Sequence, residues 1–590
     1  MLTGVANFPL DFVALFNKEL CTMNFELGTA SAQPAVTIKA RLADYFANYT
    51  NSEYTSADPI RLTDVTVDTE MRTVTLSANA GFASQPFTRE TVGRIRREVV
   101  RLIPPPYNAY RLIILANGTP IEDLVPFDWS DTVASRRRWG ELEHRGNPWV
   151  APLSLPYSIT QGLQGRHLSV WASHGRYYDF NKNNWQWQRP RLYCTTEDLF
   201  TQSFVVPFLI PMLENAGAVV FSPRERDWQR EEVVVDNDTE SPSGTYTETD
   251  GLYPWENGGS GFAHSQTIYH DRENPFEMGT FRKAEAQPRK RQTSQIVWRP
   301  ELPAEGPYAV YVSYATLPTS VSDAEYTVRH RGIATKFRVN QQMGGGTWVY
   351  LGTFNFDKGT SLNNCVILTN HSKHAGVVSA DAVRFGGGIG NIVRGHRLSH
   401  LPRCLEGARY YAQWAGAPYD VFSRSEGVSD YKDDINVRSL MTNWLGGGSP
   451  YMPTLEGKQV PIELSIAIHS DAGFEEDGQT LKGSLAICTT DFNNHLLNYN
   501  MSRSVSKDFA QLMLDQVTED MTKLIGKWNV RGLWDRNYSE TRLPEVPSII
   551  FETLSHQNFP DMRYGQDPNF KFVLARSIYK TILQQVNKLH

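Results

Sequence analysis

The sequence predicts an α/β protein: a mainly parallel sheet interrupted by an all-β sandwich, with a small α+β domain ahead of it. Three observations lead there. From about residue 165, short apolar runs alternate with stretches of helical spacing. Between about 228 and 392 this gives way to aromatic and β-branched runs punctuated by Gly, Pro and Asn. After Arg397 the α/β texture returns. A chain of 590 residues is too long for one hydrophobic core, so several domains are expected.

Each element has its own signal. In residues 1–150, Val92, Ile95, Val99 and Leu102 fall at helical spacing within Thr88 to Leu102, and Val65 to Leu76 and Tyr110 to Leu115 read as extended. His167 to Ala172 and Ala218 to Phe221 flank a helical segment from Asp198 to Asn215, a β-α-β order. Pro207 and Pro211 are expected to kink or split that helix, because each removes a backbone donor and crowds the preceding turn. In residues 229–397 the strand candidates are Tyr308 to Ala315, Tyr326 to His330, Thr347 to Phe354 and Cys365 to Thr369, which suits a β-sandwich. The aromatics Tyr308, Tyr311, Trp348 and Tyr350 alternate as strand residues do, and could bind glycan or fill a core. "GGGIGN" at 386–391 does not open a helix after a strand, so it reads as a linker rather than a nucleotide loop. Strands at Ile462 to Ser470 and Ser548 to Thr553, with helices at Ser506 to Ile525 and Asn569 to Leu589, complete the second α/β segment. One α/β domain, 165–228 and 398–590, is thus divided by the insert 229–397.

Composition excludes several function classes. Lys and Arg total 58 against 64 Asp and Glu, a formal charge of -6, so no global positive field gathers nucleic acid or an anionic membrane. Arg289, Lys290 and Arg291 form a short isolated run that suits a solvated loop. The five cysteines include no CxxC pair and form no disulfide framework. No apolar run reaches the roughly 20 residues that span a bilayer, and the N-terminus shows no signal-peptide pattern.

Four residues could carry chemistry. A catalytic zinc site needs three protein ligands and an open position, and two histidines with a glutamate are a standard set. His174 follows "HLSVWAS", Glu197 opens the next helix and His469 follows "IELSIAI". All three sit at the edge where open α/β sheets build their sites. Glu552 ends "PSIIFET", where a carboxylate is costly to bury without a partner. Each alone has an ordinary structural reading, as a hydrogen-bonded histidine or a first-turn glutamate favoured by the helix dipole.

Together they resemble the zinc-dependent N-acetylmuramoyl-L-alanine amidases. "ASHGR" resembles the family's GHGG-like turn and supplies His174, "TTEDLF" supplies Glu197, and "SIAIHSDA" supplies His469. Gly217, Val219, Arg224 and Asp227 match "G-x-V…R-x-x-D". "IIFETLSHQNFPD" supplies Glu552 where the family has its catalytic glutamate, followed by Ala575 and Ile578 on the helix beyond. Ser173 and Arg176 replace two glycines of that turn, and Asp471 replaces an asparagine, which bears on substrate. The separation of 272 positions from Glu197 to His469 exceeds the family's usual separation. The insert accounts for the excess: "YTVRHRG", "GGGTWVYLGTFNF" and "VSADAVRFGGG" resemble the golvesin C-terminal-like domain found in proteins labelled xanthan lyase. "ILANGTPIEDLVP" is similar to the close of spore-germination-protein-M-like (GerMN) domains.

The amidase resemblance implies Zn²⁺ on His174, Glu197 and His469, Glu552 as acid and base, peptidoglycan or muropeptide as substrate, and a periplasmic or cell-surface location. Alternatives are a xanthan-type polysaccharide lyase, a zinc carboxypeptidase-like enzyme and an inactive glycan-binding protein. Tyr177, Tyr178, Trp185 and Trp187, in the loop after His174, could stack on sugar or pack the loop. Asp471 could orient a ligand histidine or cap a turn.

Overall fold

The computed structural model describes residues 34–50, 59–85, 87–125, 144–155, 162–238, 243–264 and 266–588. The signal-peptide expectation falls on the N-terminal residues outside this set. The chain mixes β-sheets with helices and divides into two compact units, one within Met1–Pro126 and Arg531–Asp535, the other within Phe127–Val530 and Arg536–His590.

In the first unit, strand Thr73–Ala78 lies between Leu62–Asp68, antiparallel to it, and Arg111–Ala116, parallel to it. The helix Arg89–Leu102 is capped by Thr88, whose side chain accepts from the Thr91 amide, and buries Val92, Ile95 and Val99. The run Val65 to Leu76 is two strands rather than one. Asp68 Oδ1 accepts from the Met71 amide at 2.7 Å and Arg72 adopts φ 50, so the chain turns between them.

In the second unit, His167–Ala172 pairs in parallel with Val219–Phe221 on one side and Ile462–Asp471 on the other. Ile462–Asp471 pairs in parallel with Ser548–Ser555, and Ser484–Cys488 runs antiparallel to the latter. His167–Ala172 is buried at every position, as expected of a strand covered on both faces. The helices Ser504–Ile525 and Pro568–Lys588 pack together, with Ser577 donating to Asp520 at 2.8 Å. The proline-bearing helix is split: α-helix over Glu197–Phe204, a wider π turn over Val205–Leu209, then α-helix over Ile210–Asn215. The π turn accommodates the donor that Pro207 lacks and the crowding that Pro211 would cause.

Between these segments the strands form antiparallel sheets. Val233–Val235, Val383–Phe385, Gly306–Val312 and Val349–Phe356 are neighbours in one. Gly244–Thr249, Gln295–Pro300, Cys365–Thr369, Ala324–His330 and Ile333–Val339 are neighbours in another, whose last strand also pairs with Val150–Pro152. Trp298, Tyr308, Val310, Tyr326 and Phe385 share one buried cluster. Tyr311 and Trp348 are also buried, so of the alternating aromatics three fill cores and only Tyr350 keeps partial exposure. The glycine run at 386–391 is mostly buried rather than a solvated linker: a Cβ on Gly387 would lie 2.5 Å from the Asp227 carbonyl oxygen.

Two buried polar groups yield predictions. Arg384 is fully buried, 2.6 Å from Glu225 and stacked 3.8 Å over the Tyr311 ring. Removing Glu225 leaves the buried guanidinium with Glu232, 3.4 Å away, as its carboxylate partner, and the Tyr311 hydroxyl without its acceptor, so Glu225→Ala is expected to cost about 3 kcal/mol of unfolding free energy, read by chemical denaturation. His167 accepts from the Trp149 amide at 3.0 Å through Nε2, and burial, with His144 and Arg166 nearby, lowers its pKa from 6.5 to about 3. Above pH 6.5 both folded and unfolded imidazoles are neutral and the site is silent. As pH falls below that value only the unfolded chain takes up the proton, so stability drops by up to about 1.4 kcal/mol per pH unit until the folded pKa is reached. Denaturation of wild type and His167→Gln at pH 7 and pH 4.5 checks this: the variant should lose less stability on acidification.

Candidate metal centre

Two strand ends and one helix start converge here, beside a third strand, Ser548–Ser555, which continues three residues past Glu552 rather than ending at it. The strand His167–Ala172 ends in a tight turn in which Ser173 has φ 26, a left-handed value uncommon for serine. Arg438 Nη1 donates to the Ser173 carbonyl at 2.7 Å, and the Ser173 amide donates to Ile468 at 2.7 Å. Gly175 must be glycine, because a Cβ there would sit 2.2 Å from the Glu406 carbonyl oxygen. This turn presents His174, which is 4% exposed. Thr196 caps the next helix, accepting from the Leu199 amide at 3.3 Å, and Glu197 is its first residue. His469 lies near the end of Ile462–Asp471, with Glu552 as its register partner on the adjacent parallel strand.

The structure brings His174, Glu197 and His469 together: one donor atom from each lies within 4.8 Å of the others. His469 Nδ1 is 2.9 Å from Glu197 Oε1, and His174 Nδ1 is 3.9 Å from Glu197 Oε2. The imidazole centroids are 4.9 Å apart. All three residues are buried. Glu552 is partly exposed, yet its Oε2 is buried and has no hydrogen-bond partner.

The site is rich in carboxylates. Burial opposes ionisation of Glu197, but His174, the His469 hydrogen bond and His556 outweigh it and hold this carboxyl well below the usual range. Burial likewise disfavours a charged His469, yet Glu540 and Glu197 raise its pKa to about 10. Glu552 is pushed well above the ordinary carboxylate range, first by desolvation and then by Asp471, Glu197 and Glu540, with His469 opposing. Two imidazoles and a carboxylate, ringed by further acids and one orphaned carboxylate oxygen, suit a divalent cation, and the N and O donors suit zinc.

Sequence reasoning missed two carboxylates that touch the histidines. Asp198 Oδ1 lies 3.2 Å from His174 Nδ1, and Glu540 Oε2 lies 3.1 Å from His469 Nε2. Asp198 adjoins Glu197 in "TTEDLF" and was open to notice; "NYSETR" carries no signal for Glu540. Asp471 Oδ1 accepts from the Ala472 amide at 2.7 Å, as a turn cap would. The aromatics after His174 mostly pack the loop: Tyr178 is 1% exposed and Trp185 5% exposed. Arg176 donates to the Trp185 carbonyl at 2.9 Å and lies 5.4 Å over the Trp187 ring, so this departure from glycine pins the loop.

Residues 274–387 match the golvesin C-terminal domain. A xanthan lyase of Bacillus sp. (strain GL1) is 32% identical over 95 residues, which are 16% of this chain and 10% of that protein. The chain therefore spans about a tenth of that curated relative. Among solved structures, a Paenibacillus xanthan lyase aligns at 25% identity and TM-score 0.19 over 26% of this chain and 13% of that one. The catalytic domain of CwlV, an N-acetylmuramoyl-L-alanine amidase from Bacillus(Paenibacillus) polymyxa var. colistinus, aligns at 17% identity and TM-score 0.17 over 21% and 59%. The N-acetylmuramyl-L-alanine amidase Ami1 of Mycobacterium smegmatis aligns at 18% identity and TM-score 0.19 over 26% and 60%. Among the described residues no helix is long and apolar enough to cross a membrane.

Proposed function

We propose that the chain is a zinc-dependent amide hydrolase that cuts N-acetylmuramoyl-L-alanine bonds in peptidoglycan or its fragments, at the periplasmic or outer cell surface. The observation that carries this reading is the convergence of His174, Glu197 and His469 within 4.8 Å beside the strand that bears Glu552. The three-domain division goes with it: 1–150, the hydrolase of 165–228 with 398–590, and the β-sandwich insert 229–397.

His174, Glu197 and His469 would hold Zn²⁺, which when bound polarises an amide carbonyl and makes water a better nucleophile near neutral pH. Glu552 moves the protons. The charge of a bound cation would favour the ionised form of Glu552, which would take one from the attacking water and deliver it to the leaving nitrogen, so an alanine amine and a muramic acid carboxylate are released. The buried walls around Glu197 and His469 exclude bulk water from the ligands. Arg176 and its packed aromatics shape the rim next to His174.

The test measures metal content by mass spectrometry, with peptide release from muropeptides before and after chelation. One zinc per chain and chelator-sensitive release establish the reading. Zinc without release redirects it to other amides, as in a carboxypeptidase. Absence of zinc together with an unsaturated uronate product would instead favour the lyase.

A further inference from the structure

Glu540 grips the outer side of His469. It sits in the short helix Ser539–Arg542, outside the three proposed ligands, and is 7% exposed. Its Oε2 lies 3.1 Å from His469 Nε2, while on the opposite side of the same ring Nδ1 faces Glu197 Oε1 at 2.9 Å. Glu540 Oε1 also receives the Trp171 indole N–H at 2.7 Å and lies 3.2 Å from Arg438 Nη1. An ionised carboxylate only accepts hydrogen bonds, so the His469 nitrogen that faces it carries the hydrogen. A cation held beside Glu197 would take the lone pair of the other ring nitrogen, Nδ1, leaving Nε2 to donate to Glu540.

Resting on the metal reading above, we propose that Glu540 is a positioning residue of the centre: by holding Nε2 of His469 it keeps the ring with Nδ1 turned toward Glu197, where the metal would sit. Arg438 extends the effect to the other histidine. The same Nη1 that meets Glu540 donates to the carbonyl of Ser173, the left-handed residue just before His174. Trp171, the other donor to Glu540, lies on the strand that leads into that turn. One carboxylate and one guanidinium therefore lock both histidine-bearing strand ends into a single arrangement. Carboxylates behind metal-bound histidines commonly change metal affinity by about 10- to 100-fold when removed. If Glu540 only neutralised Arg438, metal affinity would be indifferent to its charge.

The experiment uses the full chain and Zn²⁺ alone, titrated in competition with a chromophoric chelator. Glu540→Gln keeps the volume and an accepting oxygen for Trp171, and circular dichroism checks its fold. Its zinc affinity is expected to fall about 10- to 100-fold, with Glu540→Asp recovering part of the loss. A second readout needs no variant of Glu540: long-range ¹H–¹⁵N spectra of zinc-loaded wild type should show His469 protonated at Nε2 and zinc-bound at Nδ1, and this decides the matter if Glu540→Gln fails to fold. Unchanged affinity in folded Glu540→Gln, or zinc on Nε2 of His469, overturns this inference and leaves the metal reading standing. A wild type that binds no zinc overturns both.

Discussion

Alanine at His174 or at His469 is expected to release the metal and abolish hydrolysis. Each histidine is one of three proposed ligands, and the ligand atoms are already within 4.8 Å of one another, so little rearrangement could bring in a substitute. Without either histidine the buried Glu197 also loses a neighbour that favours its ionised form, and its carboxylate becomes harder to keep ionised. The activity loss should therefore exceed the roughly 10²- to 10⁴-fold that losing general acid–base catalysis alone would cause. Metal content is the deciding measurement, with a melting curve beside it. The apolar strands beneath are untouched by the substitution, so the variants should remain folded. A folded His174→Ala that still carries one zinc per chain would remove His174 from the ligand set.

The parts of the molecule that were legible in the sequence are those whose signal is local. His167–Ala172 was legible because a run so short and largely apolar, with glycines on either side, is too brief for a helix and suits a strand covered on both faces, which it is. The break near Pro207 was legible because proline's lost donor acts at the site where it stands, although the sequence did not say that the chain would answer with a π turn. Two features depended on distant partners and left no local trace. The residues 386–391 read as a linker because glycines usually mark solvated turns, whereas here they let the chain pass against Asp227 and Glu232. The same holds for the site. His174, Glu197 and His469, which the structure brings together, could be singled out because strand ends and helix starts can be seen along the chain. Glu540 and Arg438 were not, because their role comes from reaching His469 and Ser173 across 71 and 265 residues.

Glu552→Gln should lose rate by about 10²- to 10⁴-fold while zinc stays bound. The two halves of this expectation have separate physical grounds. Glutamine has the shape of glutamate, so the strand Ser548–Ser555 and its register with His469 should persist, and with them the three ligands. But an amide cannot take up and return a proton near neutral pH, which is the task assigned to Glu552. The structure places this carboxyl apart from the ligand set: the donor atoms that cluster belong to His174, Glu197 and His469, and Glu552 Oε2 stands buried with no hydrogen-bond partner. An unpartnered carboxylate oxygen is costly in a folded protein unless a substrate, a water or a cation meets it. Single-turnover rates of muropeptide cleavage, measured with metal content on the same samples, separate the outcomes. Slow chemistry with full zinc makes Glu552 the proton carrier. Loss of zinc would make it a ligand instead, and the orphaned oxygen would then be the coordinating atom. Unchanged rates would leave the proton transfer to another group at the centre, and His556, buried beside Ser470 with a bare Nε2, would be the first to replace.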